Sequence, residues 1–203
     1  PQKELRRIVK GKNATLVQEL GVEVLLPSRK QPIPNALHQQ LLSIPEGTKL
    51  GPFVYRRDSH FGKSWRRLLR VLDRSGFRKA EWAATRANGD TPLTFRQVAY
   101  CFDGSNDPVR RPSVETLRAR HAEVWLYLYP VPSKCDPDGS KFCTKAIPFK
   151  LEPGDETVIL FIEEELRMHE QGMSDEQRAK EPLFTSAPNV VFHRSAIDDA
   201  LRD

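Results

Sequence analysis

The sequence predicts an α+β fold in which three helices precede a β-hairpin between residues 51 and 152. Three observations carry this reading. Trp65, Leu68, Leu69 and Leu72 recur at helical spacing. Two later segments, 91–105 and 112–125, contain residues suited to capping a helix. Two runs rich in aromatic and branched residues then flank the Pro-Asp-Gly turn signal of DPDGSKF, 136–142.

Taken in order, ELRRIVKG (4–11) reads as a short basic helix, and NATLVQELGVEVLLP (13–27) as a helix followed by a strand. A Pro-rich stretch and the helical ALHQQLL complete residues 1–50, an N-terminal basic arm or small subdomain. In 51–77, Ser64 is the expected N-cap of an amphipathic helix and Gly76 its stop. The face away from Trp65 carries Arg66, Arg70 and Arg74 at steps of four, with Lys63 and Arg67 beside them, a cationic stripe along about three turns. FRKAEWAATRANGD (77–90) reads as a strand with a turn at Asn88-Gly89. Thr94 is the expected cap of a short helix whose inner face is Phe95, Val98, Ala99 and Phe102.

Ser113 or Pro112 begins the next helix, and Glu115 suits its positive first turn. Val114, Leu117, His121, Val124 and Trp125 line one side of it. Residues 124–132 and 143–152 form the hairpin. The segment 156–172 is a helix, or a strand followed by a helix. MSDEQRAKEP reads as polar and mobile. The last stretch holds a β-like VVF and a final helix capped by Ser195.

Charge is unevenly distributed. Lys and Arg outnumber Asp and Glu by eight to four in residues 1–50, fifteen to eight in 51–124 and four to two in 125–151. In 152–203 the balance reverses to five against thirteen. That asymmetry points to a polyanion-binding part with an acidic appendage. The core therefore spans 51–152 and the acidic C-terminal interaction segment 153–203. That segment, with VILFI as apolar anchor, either binds a partner or packs on the basic part and restrains it. Three cysteines argue against a disulfide framework. The first residues lack the apolar stretch of a secretory leader, and no apolar run reaches the length of a membrane span. The expectation is a cytoplasmic, nucleoid-associated protein.

Motifs for catalysis are missing from the sequence: it has no phosphate loop, no G-x-S-x-G and no H-E-x-x-H. Arg56, Arg57, Asp58 and His60 lie close together, as a phosphoesterase would use them, but nothing raises them above background. Cys135 and Cys143 have the wrong spacing for a zinc knuckle, with or without Cys101 and His121. Cys101 reads as a buried thiol and His121 as a core histidine. Glu163, Glu164 and Glu165 point to different helix faces and read as solvated. No enzyme activity, metal or cofactor is expected.

The segments LTFRQVAYCFDG, RRPSVETLRA and WLYLYPVPSKCDPDGSKF together resemble the winged helix–turn–helix proteins of bacterial regulators and mobile-element replication. The resemblance covers about ninety residues and implies a winged-helix-like core of three helices and a hairpin wing. It departs from that pattern in the long link DGSNDPVRR and in Glu115 and Glu123 on the outer side of the third helix. It implies sequence-preferring binding of double-stranded DNA, in transcription control or in replication and maintenance of a mobile element. Arg110 and Arg111 would meet phosphate at the start of the groove-reading helix, with Ser113, Thr116 and Arg120 toward base edges. Lys134, Lys141 and Lys145 would sit on or near the wing, and Arg66, Arg67, Arg70 and Arg74 would form a second phosphate surface. Six to ten such contacts would make binding fall steeply with salt. A homodimer fits this reading. The alternative is binding of RNA or single-stranded nucleic acid through Phe53, Tyr55, Phe61 and Trp65 with their neighbouring arginines, or a protein-interaction adaptor.

Overall fold

The apolar spacing around Trp65 forms the central helix of the molecule. The computed structural model describes residues 35–75, 82–83, 93–132, 145–188 and 190–193 and has a mixed α+β architecture. Its described elements are α1 (Asn35–Leu42), β1 (Lys49–Leu50), β2 (Phe53–Val54), α2 (His60–Ser75), β3 (Val98–Phe102), α3 (Val114–Arg118), β4 (Val124–Leu128), β5 (Ile147–Lys150), α4 (Thr157–Glu170), α5 (Asp175–Lys180), β6 (Thr185–Ala187) and β7 (Val190–Val191). Among the described residues the strands pair antiparallel as β1–β2, β3–β4–β5 and β6–β7. Residues from His38 onward form one unit. The expectations for 4–11, 13–27, 77–90, the hairpin tip and the final helix lie outside the described residues.

Helix α2 starts earlier than Ser64. Ser59 caps it, its Oγ accepting from the Gly62 amide at 3.0 Å. Ser64 lies inside the helix, buried, and its Oγ accepts from the Thr185 amide at 2.8 Å. Gly62 has a packing reason: a Cβ there would stand 2.0 Å from the Arg56 carbonyl oxygen. Of the residues at helical spacing Trp65, Leu68 and Leu69 are buried and Leu72 is partly buried; Val71, outside that spacing, is buried as well. The polar side is also covered, because α4 and β6 pack against this helix.

The second expected helix is corrected. Thr94 caps as anticipated, with Gln97 closing a capping box, but only a single 3-10 turn, Phe95–Gln97, follows. The chain then extends as β3. VAYCF is rich in β-forming residues, and its side chains are buried on both sides, Phe102 partly. A run apolar on both faces carries no period to separate strand from helix.

The third helix is also shorter than expected. Ser113 caps it, its Oγ accepting from the Thr116 amide at 3.2 Å, and Ala119 ends it. Val124 and Trp125 belong to β4 instead. The expected pairing of the two hairpin strands is present, with Leu126 opposite Phe149 and Tyr127 opposite Pro148.

Residues 156–172 form a helix, of the two forms the sequence allowed. Val158, Leu160 and Phe161 are buried and Ile159 is exposed. MSDEQRAKEP is not a free connection: Ser174 and Gln177 form a capping box on α5, and Arg178 is buried. The core gathers Trp65, Leu68, Phe95, Tyr100, Leu126, Phe149, Phe161 and Phe184.

Candidate nucleic-acid interface

The arginine stripe of α2 faces acidic side chains of the same chain. Arg66 is 3% exposed and pairs with Glu156, while its Nη2 donates to the Arg57 carbonyl at 3.0 Å. Arg70 and Arg74 both reach Asp155, at 3.5 and 2.9 Å. The Asp155 carboxylate also accepts from the Thr157 amide at 2.8 Å. Burial pushes this carboxyl up, but the Thr157 bonds and the two arginines outweigh it and hold it below the usual range.

Arg67 is 1% exposed. Its Nε donates to the Leu183 carbonyl at 3.0 Å, and its Nη1 lies 3.6 Å from Glu164. Its guanidinium stands over the rings of Phe161 and Phe95, at 5.4 and 5.9 Å. Burial would raise the Glu164 carboxyl, yet Arg67 and Arg167 together hold it low. Arg178 lies over the same Phe95 ring at 5.6 Å and makes a buried pair with Glu165. The expected solvated face for Glu164 and Glu165 is therefore corrected, as is the solvent-facing role of Arg66 and Arg67. A buried charge needs a partner, and the acidic segment supplies it.

The aromatic alternative at 53–65 is also drawn inward. Tyr55, Phe61 and Trp65 are buried, and Phe53 stacks on Phe61 with centroids 4.6 Å apart. Nearby, Asp58, His60, Lys63, Glu163, Glu164 and Arg167 line a cleft of about 430 Å³. Its charges largely pair with each other, Lys63 with Glu163 at 2.8 Å and Arg167 with Glu164 at 2.7 Å. His60 Nε2 lies 2.6 Å from the buried Thr185 Oγ1. Burial holds His60 below its ordinary pKa.

The residues expected at the third helix separate into two groups. Arg111 is tied down, bonding to Asp175 and to the Met173 carbonyl. Ser113 and Thr116 serve the helix cap. Arg110 and Arg120 are exposed, as is Lys145; Lys134 and Lys141 lie outside the described residues. Arg110 donates to the Arg96 carbonyl, and its guanidinium stands 5.6 Å over the ring of Tyr129. Arg96 is itself exposed. Among the described residues, Arg96, Arg110 and Arg120 have no carboxylate partner.

His121 fixes the loop between β3 and β4. Its Nδ1 lies 2.7 Å from Asp103, and its Nε2 lies 2.8 Å from the Thr116 carbonyl. Both partners are acceptors, so the ring that satisfies both is the imidazolium. The bond to Asp103, then the one to Thr116, raises the His121 pKa; the same ring lowers that of Asp103. Asp103 has φ +52 and also accepts from the Ala122 amide at 2.7 Å.

Sequence reasoning placed the β4–β5 pair beside this loop but missed β3, and with it the three-stranded sheet. Residues directly opposite in an antiparallel pair share a face. Tyr100, Leu126 and Phe149 therefore share the core face, and Cys101, Trp125 and Lys150 the other, together with Ala99, Tyr127 and Pro148. Along β4 the side chains alternate, Val124, Leu126 and Leu128 buried, Trp125 and Tyr127 half-buried. The alternation of WLYLY carried that signal. Cys101 is a buried free thiol, as its surroundings in sequence suggested. Comparison with family models, with curated proteins and with solved structures returns no match for this chain.

Proposed function

We propose that the protein binds nucleic acid through the side of the molecule that carries Arg96, Arg110 and Tyr129. One observation supports this above the others: Arg110 lies on an aromatic ring and has no acidic partner among the described residues, whereas the arginines of α2 are consumed by internal ion pairs. An unpaired guanidinium beside an aromatic ring offers a phosphate contact next to a stacking surface. DNA is the expected polymer, in transcription control or in replication and maintenance of a mobile element.

A duplex reading needs α3 in the groove. That helix has five residues and spans only about 7.5 Å at 1.5 Å per residue, and its exposed side carries Glu115. It supports groove reading less well than the open cations support phosphate binding.

The test is a fluorescence-anisotropy titration of the full chain with duplex DNA, single-stranded DNA and RNA at low salt. Binding that falls at least about tenfold in an Arg96→Ala, Arg110→Ala double variant, with an unchanged melting temperature, is the expected result. No binding to any of the three polymers would overturn the proposal.

A further inference from the structure

Resting on the nucleic-acid reading, we propose that the outward face of β3–β4–β5 is a stacking platform for the unpaired bases of a single strand, with Trp125, Tyr127 and Tyr129 as successive ring contacts.

The chain direction of β4 sets this up. Trp125 and Tyr127 are two residues apart and share a face, and Tyr129 continues the alternation where its amide bonds to the Gln97 carbonyl at 2.9 Å. The rings of Trp125 and Tyr127 have centroids 6.4 Å apart and planes 24° from parallel. Small residues lie opposite on β3, Ala99 against Tyr127 and Cys101 against Trp125. On β5, Pro148 is exposed opposite Tyr127. Ala99 and Cys101 are buried and Tyr127 is half-buried, so the open border of the central ring lies on the β5 side, at Pro148.

Charge gives the platform a polarity. Lys150 stands 5.3 Å over Trp125, but Glu123 holds it at 2.7 Å, so this end is neutralised. At the other end Arg110 covers Tyr129 and has no carboxylate partner among the described residues. At the Tyr129 end a phosphate of the strand would meet Arg96 and Arg110, and the strand would run from there toward Trp125.

Spacing selects a single strand. Stacked bases rise about 3.4 Å. The Trp125 and Tyr127 rings lie nearly twice that distance apart, 6.4 Å. A strand that contacts each ring must have its bases parted from one another and laid on the protein. Unpaired strands do this; a duplex holds its bases stacked and inside.

The experiment uses the full chain and a short single-stranded oligothymidylate, with oligouridylate and a duplex of mixed sequence as comparisons. Tyr127→Ala should lower affinity for the single strands by roughly tenfold, and Tyr127→Phe, which keeps the ring, should not. The salt dependence of binding should be the same in Tyr127→Ala as in the wild type, because no charge is lost. Tryptophan emission should be quenched by oligothymidylate in the wild type and not in Trp125→Phe, since Trp65 and Trp82 are buried. Equal preference of the two single strands supports base stacking alone; a preference for oligouridylate supports the same platform with an added ribose contact. Duplex preference with a neutral Tyr127→Ala would overturn the platform while leaving nucleic-acid binding intact. Failure of every polymer to bind would remove the underlying reading as well.

Discussion

At the scale of single residues, the molecule is organised around two buried arginines that share one ring. Arg67 and Arg178 both stand over Phe95, and each is matched by a glutamate of α4. Neither member of the Arg178–Glu165 pair has contact with water, at 4% and 1% side-chain exposure. Water cannot compensate a charge left alone there. Replacing Arg178 by Met should therefore cost about 3–5 kcal/mol, most of it the unpaired Glu165. The double replacement Arg178→Met, Glu165→Leu should recover a large part, because neither charge is then buried. Urea unfolding followed by circular dichroism measures both. A single variant as stable as the wild type would mean that the pair is not buried as described.

At the scale of elements, the β3–β4 connection depends on protonation. His121 joins the end of β3, through Asp103, to the last turn of α3, through the Thr116 carbonyl. Asp103 is the charged group that faces the ring, with Glu123 beside it; the Phe102 ring lies tilted against the imidazole with centroids 4.5 Å apart. The His121 pKa is raised, so its contribution is full below the ordinary 6.5 and is lost as pH rises through the higher folded value. The Asp103 pKa is lowered, so its contribution is present above 3.8 and is lost as pH falls through the lower folded value. The melting temperature of His121→Leu should therefore lie furthest below that of the wild type between about pH 4 and 6.5, and the gap should narrow as pH rises through the higher folded value of His121. A constant gap across that range would sink the clamp. The caps of this region were legible in the sequence: Thr94 and Ser113 both cap, and the β4–β5 pairing follows from its branched and aromatic runs. The strand β3 was not, because Phe95, Val98, Ala99 and Phe102 fit a helical face while VAYCF is buried on both sides. Helical spacing also placed α2, but it could not show that α4 and the 183–185 segment cover the polar side, since those partners lie about ninety residues or more along the chain.

For the whole molecule, the opposed charges of the two halves are internal complements. Asp155, Glu156, Glu163 and Glu164 meet Arg57, Lys63, Arg66, Arg67, Arg70 and Arg74. The acidic segment thus packs on the basic helix, and the surface field is far weaker than the sequence asymmetry suggests. No helix among the described residues is long and apolar enough to cross a membrane. This accounting fixes how salt should act on binding. Each phosphate neutralised on a single strand contributes about −0.7 to the slope of log affinity against log salt. Arg96 and Arg110 together give a slope of about −1.4. A surface using the α2 stripe as well, with six to ten contacts, would give about −4 to −7. Anisotropy titrations with oligothymidylate over a series of salt concentrations distinguish the two. A shallow slope that flattens further in Arg96→Ala, Arg110→Ala is the expected result. A steep slope would require the ion pairs between α2 and α4 to open on binding, and the acidic segment would then be a competitor for the polymer rather than part of the packed fold.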